Sequence, residues 1–432
     1  MRARPSLHVG VILMLAVRNL RRNLRRTILT ATSFVIGGAL LTFSQTFDAG
    51  THEQMVDSGV RTGSGHVAVE APGFRVSRRI EDRLPGSTLQ LVRAAVASPP
   101  GAERVTDVFY RLTVHGLATS ATGARPAQIL GVDPTIEAAL SPLDEQVVEG
   151  RYLEADDRLA AYVGAGLVDA LDLRIGSRLV LMAQDTHKEV AGQLVRVVGI
   201  FRTGIGELDE SVIHVPIATA GEWLGIGDDV TNIGVMVDSS LAVPEIVRHL
   251  GRELAEPIAR GEAVVMGWQE AMPALYTMIV FDEWVGFLVL GILFVIIGFS
   301  IINTVLMSVL HRHREFGVLQ ALGLTPRQTS SVVLVEGLLQ TVVCTFIGVG
   351  LGLAVTAALS DGLDISGLYG SMDIGEVEIV GVTVDPVIVP VVNPVRILQI
   401  LGFMLFVGVV SSLYPALRAG TIDVTESMKF ER

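Results

Sequence analysis

The sequence predicts an α+β membrane protein: four transmembrane helices, with a large mixed α/β domain inserted between the first and the second. Three observations predict it. Half of the 432 residues are hydrophobic, and mean hydropathy is +0.52. Four apolar stretches, 27–47, 284–310, 331–360 and 395–417, each approach or exceed the roughly 20 residues a helix needs to cross the hydrocarbon core. Between the first two, residues 48–280 mix polar and apolar side chains and are long enough to build cores of their own.

Basic residues give the orientation, because Lys and Arg next to a span stay on the cytoplasmic side. Arg18, Arg21, Arg22, Arg25 and Arg26 precede the first span, Arg312, Arg314 and Arg327 separate the second from the third, and Arg418, Lys429 and Arg432 follow the fourth. A four-span topology with both termini cytoplasmic puts all three groups on one side. The opposite loop, 361–394, carries six acidic residues and no Lys or Arg. A cleaved export signal over residues 1–47 is the competing reading. No small-x-small site follows Phe47, and cleavage would leave three spans.

Residues 1–26 form an amphipathic lead helix. Leu13, Ala16, Val17, Leu20 and Leu24 share one face, while Arg18, Arg21, Arg22 and Arg25 lie largely on the other, the pattern of a helix lying in the membrane interface. Arg18, Asn19, Arg22 and Arg26 are its candidate contacts. Span 27–47 is rich in Thr, Ser and Gly, with Gly37-Gly38 suited to close helix packing.

Within 48–280, the two ends match. His66–Glu70, a helix at Ser87–Ala97 and Val105–Tyr110 read as strand-helix-strand, and so do Asn232–Val237, a helix at Val243–Ile258 and Ala263–Met266. Such a split pair folds into one ferredoxin-like lobe, about 60–111 and 231–268. The middle, about 112–230, is an inserted β-rich lobe. It holds strands at Leu112–Leu117 and Ala127–Val132 around a tip at Ser120–Ala124, and a helix near Gly166–Leu171. A hairpin of Arg178–Met182 and Gln193–Phe201 around Asp185–Gly192 follows, then a strand at Ser211–Val215 and a helix at Ile217–Leu224.

From Trp268 the chain is expected to run helically into the second span, with a kink at Pro273. Asn303 and Thr304 lie deep in that span and call for an internal partner. Glu336 lies near the cytoplasmic end of the third span, where pairing with a nearby arginine is favoured over transport. Gly348 and Gly352 have the spacing of a helix-packing face.

The loop at 311–328 is too apolar for a plain connector. Phe316, Leu319 and Leu322 recur at helical spacing. Gly323 is placed to end that helix in the left-handed region, and Thr325, Pro326 and Gln328 have the order of N-cap, first helical position and return partner of a capping box. Two readings stand side by side: a docking knob for a soluble partner, or an amphipathic turn resting on lipid headgroups.

Several chemistries are missing. The only lysines are Lys188 and Lys429, neither between Gly and Ser or Thr, so no P-loop can form. Cys344 is the single cysteine, which excludes an intrachain disulfide and a cysteine zinc cluster. There is no HExxH and no GxSxG, and Gly204-Ile205-Gly206 does not complete a dinucleotide fingerprint. His311 and His313 are surrounded by arginine. Glu207, Asp209 and Glu210 read as a solvated acidic loop. A net charge of −12 points away from nucleic acid. No catalytic constellation and no metal or cofactor site is expected in this chain.

The run Asn303-Thr304, Met307-Ser308-Val309, Arg312, Arg314-Glu315-Phe316-Gly317, Leu319 and Ala321-Leu322-Gly323 resembles the signature of the FtsX/MacB-like (type VII) permeases of ABC transporters. The stretch from Leu15 to Thr27 resembles that family's N-terminal segment, and Tyr414-Pro415-Ala416-Leu417-Arg418-Ala419 its ending. Gly65-His66-Val67, Gly131-Val132-Asp133-Pro134, Glu149 to Leu153, Gly199 to Gly204 and Glu207 to Glu210 resemble the lipoprotein-releasing (LolC/LolE) branch.

The resemblance implies a multi-pass protein of the bacterial inner membrane with a MacB-like periplasmic domain. Its first lobe would be porter-like. Residues 311–328 would be a cytoplasmic coupling helix, with Arg314, Glu315, Phe316, Gly317, Leu319, Ala321, Leu322 and Gly323 meeting a separate ABC ATPase subunit dimer that binds ATP and Mg. It further implies a second permease protomer, identical or different, and mechanotransmission in place of a substrate channel. Lipoprotein release is the expected function, with a periplasmic lipoprotein carrier as a further partner. The hairpin at Asp185–Gly192 lacks the aromatic or proline tip of the carrier-binding hook. Efflux of another amphiphile and FtsX-like regulation of a cell-wall hydrolase are the alternatives.

Overall fold

The computed structural model of the chain describes residues 9–22, 24–204, 206–321, 323–364, 377–379, 382–384 and 387–421. The chain divides into a helical unit (1–52, 281–363 and 387–432) and a sheet unit (53–280 and 364–386).

The helical unit begins with the amphipathic helix Val9–Arg22 and contains parts of four long helices, Leu24–Thr62, Pro273–His311, Pro326–Ala358 and Pro394–Gly420. Among the described residues three of these, Pro273–His311, Pro326–Ala358 and Pro394–Gly420, are long and apolar enough to cross a membrane. The first long helix contains the expected span 27–47 but is diluted by Thr27, Thr30, Thr32, Ser33, Gly37 and Gly38. Contacts between helices use its small and hydroxylic residues and those of the third long helix. A Cβ on Gly348 would lie 3.0 Å from the Val35 carbonyl oxygen, and one on Gly352 would lie 2.7 Å from that of Ala39. Both glycines therefore allow two helix backbones to approach. Thr46 and Thr356 hydroxyls hydrogen-bond across the same interface at 2.8 Å. Phe34, Leu41, Ile301, Cys344, Val349, Ile400 and Met404 fill the core between the helices, so Cys344 is a packing residue.

Pro273 is the first residue of its helix and not a kink inside one. The short helix Trp268–Ala271 ends at Met272, and Pro273 starts the next. Proline has no N–H to lose at that position, where the N–H of any residue would lack an intrahelical partner.

The sheet unit is built on one ten-stranded sheet. Its strands are β1 (Val67–Glu70), β2 (Val105–Thr119), β3 (Ala124–Val132), β4 (Val147–Gly150), β5 (Ala160–Gly164), β6 (Arg178–Gln184), β7 (Val190–Phe201), β8 (Val212–Pro216), β9 (Asn232–Val237) and β10 (Val264–Gly267). The order is β10-β1-β9-β2-β3-β8-β5-β7-β4, with β6 pairing β2 and β7. The first four strands in that order pair antiparallel throughout. Helices Gly86–Val96 and Val243–Glu253 connect β1 to β2 and β9 to β10, and they pack on a core that includes Val69, Phe109, Ile233, Val235, Ile246 and Leu250.

The two strands expected at Val105–Tyr110 and Leu112–Leu117 are one strand. β2 pairs with β9 up to Arg111 and with β3 from Arg111 to Thr119. Arg111 looks like a break in the sequence, but its charge is fully used inside the fold. Glu207, Asp209 and Glu210 lie on a helix, Gly206–Ser211, in place of a loop. Asp209 is buried and accepts hydrogen bonds from the Thr203 N–H (2.8 Å), the Thr203 hydroxyl (2.9 Å) and the Gly204 N–H (3.2 Å). The hairpin of β6 and β7 turns tightly at Asp185–Glu189, where Asp185 Oδ1 accepts from the His187 and Glu189 N–H groups.

Candidate functional site

The turn after the second long helix is constructed from local chemistry. His313–Ala321 is a short helix. Gly323 has φ +106°, a conformation that disfavours side chains, and the chain reverses there. Thr325 then caps the third long helix. Its hydroxyl accepts from the Gln328 N–H (3.3 Å), the Gln328 amide oxygen accepts from the Thr325 N–H (2.8 Å), and Pro326 takes the first helical position. Such a reciprocal cap satisfies two otherwise orphaned donors and contributes about 1 kcal/mol.

Which side chains face outward is decided by packing. Phe316 is 1% exposed and packs with Val309, Val333, Ala416 and Ala419. Full burial of such a ring is worth about 1.5–3 kcal/mol. Leu319 is half-buried against the same cluster, and Gly317 is buried. Phe316 and Leu319 thus anchor the short helix. Its outward face consists of Arg314, Val318 and Ala321, spaced four and three residues apart, and Val318 is 49% exposed. Gly323 is exposed as well. Leu322 lies outside the described residues.

Arg312, which in the sequence serves as an orientation signal and as part of the family-like run, is the hub of the turn. It is buried; its Nη1 donates to Glu336 Oε2 (2.9 Å), its Nε donates to Glu315 Oε2 (3.3 Å), and its guanidinium stacks 4.8 Å from the Phe316 ring centre. The pairing expected of Glu336 is therefore present, and Glu315 is held at the rim of the turn by the same arginine. A buried guanidinium is tolerable only with such partners. The signal for it lay in the sequence as an acid inside the third span opposite an arginine at the end of the second.

Of the remaining candidates, Gly348 and Gly352 lie at the helix crossing described above, and Asn303 is exposed on the second long helix. The side chain of Thr304 is outside the described residues. Arg18 is exposed on the amphipathic helix, and the side chains of Asn19, Arg22 and Arg26 are not described.

The helical unit also contains a cleft of about 530 Å³, lined by the polar and charged Gln45, Asp48, His52, Asp282, Glu283 and Arg396 and by the apolar Phe287, Leu290, Ile400 and Phe403. His52 Nε2 lies 2.7 Å from Asp282 Oδ2, and Arg396 Nη2 donates to Glu283 Oε1 at 2.6 Å. Its charged groups flank the ends of three apolar runs. That these three chain positions come together is a signal that the linear reading passed over.

Two arginines that organise the sheet unit were missed altogether. Arg111 and Glu137 form a bidentate pair with side chains 4% and 3% exposed. Arg111 also donates to the carbonyls of Arg61, Thr62 and Gly63, where the first long helix ends. Arg75, half-buried, donates to Glu70 (2.6 Å), to the Ser64 hydroxyl (2.9 Å) and to the Ala271 carbonyl. The carbonyls that end the first long helix are thereby satisfied by a fixed charge.

The described residues hold no cluster of His, Cys, Asp and Glu suited to a metal ion. Comparison with known proteins adds the lineage. Residues 27–252, more than half of the chain, match the MacB-like periplasmic core domain, and residues 287–424 match the FtsX-like permease C-terminal domain. A lipoprotein-releasing system transmembrane protein LolC of Neisseria meningitidis is 21% identical over 55% of this chain and 58% of its own length. An uncharacterized ABC transporter permease YvrN of Bacillus subtilis is 25% identical over 94% of this chain and 96% of its own. The matches to that LolC and to the B. subtilis permease YknZ span 58% and 64% of those relatives, less than two thirds. The extracellular domain of a noncanonic ABC-type transporter YknZ from Gram-positive bacteria aligns at 16% identity and a TM-score of 0.35, covering 46% of this chain and 99% of that one. On the strength of the two domain matches, the chain belongs to the family of FtsX-like ABC transporter permeases with a MacB-like periplasmic core domain.

Proposed function

We propose that this chain is the permease subunit of an ABC transporter that transmits the ATP-driven motion of a separate ATPase dimer to its periplasmic domain, and that it serves to release lipoproteins from the inner membrane. The observation that carries the reading is the braced turn at 311–328. A short helix anchored by Phe316 and Arg312 offers an outward face of Arg314, Val318 and Ala321, and a rigid mount is what a docking helix needs to pass on a displacement. The sequence has no P-loop, which supports a reading in which a separate partner binds ATP and Mg. The first and second long helices each contribute residues to both units, which supports transmission along continuous helices.

Further parts of the reading rest on the same arrangement. Span 27–47 is the fourth transmembrane helix, supported by its packing among the three apolar ones. Both termini are cytoplasmic, supported by the arginine distribution. The order β10-β1-β9-β2 supports the ferredoxin-like porter lobe, with the rest of the sheet as its insert. The cleft lined by both charged and apolar side chains suits an amphiphile, and the LolC relative supports a lipoprotein. One observation favours a second reading. The tip at Asp185–Glu189 is short and polar, which argues against docking of a periplasmic carrier there and leaves efflux of another amphiphile, or regulation of a wall hydrolase, as the alternative.

The test is reconstitution of the permease with its ATPase. Val318→Asp and Ala321→Arg change exposed positions of the outward face, and both are expected to abolish most of the permease-dependent ATPase stimulation while membrane insertion and thermal stability stay unchanged. Full stimulation in both variants would refute docking through this face. For the substrate, ATP should release a membrane-bound lipoprotein to a soluble acceptor. Intact ATPase coupling without release would keep the permease reading and remove lipoproteins as cargo.

A further inference from the structure

We propose that the sheet unit holds a binding site for a small neutral polyol of monosaccharide size, in the cleft lined by Glu70, Arg75, Arg78, His115 and Asn232. The cleft has a volume of about 290 Å³, near the lower end, about 300 Å³, of small-molecule sites.

Its polar groups are built in and only partly used. Glu70 and Asn232 are buried, at 3% and 6% exposure. Asn232 Nδ2 donates to Glu70 Oε1 at 2.7 Å, which fixes the amide with its oxygen turned the other way. Glu70 Oε2, Asn232 Oδ1 and Arg75 Nε are then buried without a hydrogen-bond partner among the described residues. Leaving three such groups unsatisfied costs about 1–3 kcal/mol each, so the cleft calls for something that both donates and accepts.

The charge balance selects the ligand class. Glu70 is paired with Arg75, and Arg111, which also lines the cleft, is spent on Glu137 and three carbonyls. Arg78 and Glu207 add one charge of each sign. An ammonium ligand brings only donors and would stand beside Arg75. A phosphate or carboxylate brings only acceptors and would face Glu70. A hydroxyl donates one hydrogen bond and accepts others, so vicinal hydroxyls can satisfy Glu70 and Asn232 while accepting from Arg75 and Arg78. Burial lowers the pKa of His115, and its Nε2 lies 3.4 Å from Arg78 Nη1, so the neutral imidazole accepts from Arg78 and keeps one N–H donor. Ser64, just beyond the first long helix, lines the same cleft, so a bound molecule rests against the end of that helix.

The full-length chain in lipid nanodiscs is to be titrated with D-glucose and N-acetylglucosamine as neutral probes, and with glycine, glucosamine and inorganic phosphate as charged controls, read by saturation-transfer NMR and calorimetry. Saturable binding of at least one neutral probe is expected, in preference to all three controls. Asn232→Ala should weaken it about tenfold, the loss of one buried hydrogen bond. Arg78→Gly should weaken it severalfold. Arg78 is exposed at φ +51°, so glycine removes the side chain without straining the fold. Three results overturn the proposal: no saturable binding of either neutral probe at millimolar concentration, with ordered water alone in the cleft; binding of the charged controls alone; or neutral-probe binding unaltered in both variants.

Discussion

The most consequential single side chain in the sheet unit is Arg111. Its guanidinium is almost fully buried, and its donors end on Glu137 or on the carbonyls that close the first long helix. Removing one member of such a pair strands the other charge in a low-dielectric interior, at a cost of about 3–5 kcal/mol. Glu137→Ala is therefore expected to destabilise the domain more than Glu137→Gln, which keeps a hydrogen-bond acceptor for Arg111. Amide hydrogen exchange over residues 58–64 and 105–119 reads the difference, and equal protection in both variants would contradict the role assigned to the pair. His214 makes a pH-dependent contribution. Burial holds its pKa down, at about 4, against roughly 6.5 in an unfolded chain. The unfolded state thus binds the extra proton first as pH falls. The stability His214 contributes is present above pH ~6.5 and is lost progressively toward pH ~4. His66 and His115, also lowered by burial, add in the same direction, whereas Glu70, raised by burial, opposes them. Protection of β5 and β8 should fall over that window, and His214→Gln, which keeps a polar partner for the Tyr152 hydroxyl 3.2 Å away, should flatten the fall. A pH profile identical to wild type would remove His214 as its source.

At the scale of elements, the turn at 311–328 separates two kinds of information. The stop at Gly323 and the capping box at Thr325 and Gln328 depend on residues a few positions apart, so they were legible from the sequence. The orientation of Phe316 was not, because it is set by Ala416 and Ala419 on the fourth long helix, about a hundred residues away. Periodicity put Phe316 and Leu319 on one helix and left open which of two partners they meet, and the structure places both against the chain's own helices. This distinction can be tested. Phe316→Ala should cost about 3–5 kcal/mol and lower thermal stability together with ATPase stimulation. Thr325→Ala should cost about 1 kcal/mol and raise amide exchange only over the first turn of the third long helix. A Phe316→Ala protein as stable as wild type would return that ring to the outward face.

For the whole molecule, what was legible followed from local pattern and from charge, and what was not required knowledge of which distant elements meet. The strand-helix-strand pairs at the ends of the sheet domain carry their own periodicity, whereas the union of two strands into β2 depends on Arg111 being neutralised by Glu137 from a different element. The polar residues inside apolar helices pose the same problem one level higher. Asn303 lies on the second long helix, one long and apolar enough to cross a membrane, and it is exposed in the single chain together with Phe299 and Met307. An amide facing hydrocarbon would cost several kcal/mol, so the physical expectation is that a second permease protomer covers this face, where an amide can find a partner. Cys344 is the single cysteine and is buried, so Cys344→Ala supplies a clean background. In membranes, Asn303→Cys in that background should form an oxidative cross-link to another permease chain, seen on a non-reducing gel as a band of twice the chain's mass that reductant removes. Phe346→Cys, exposed on the third long helix, serves as the lipid-facing comparison and should not cross-link. Equal cross-linking at both positions would indicate random collision, and no cross-link from Asn303→Cys would place Asn303 toward lipid and remove this face from the dimer.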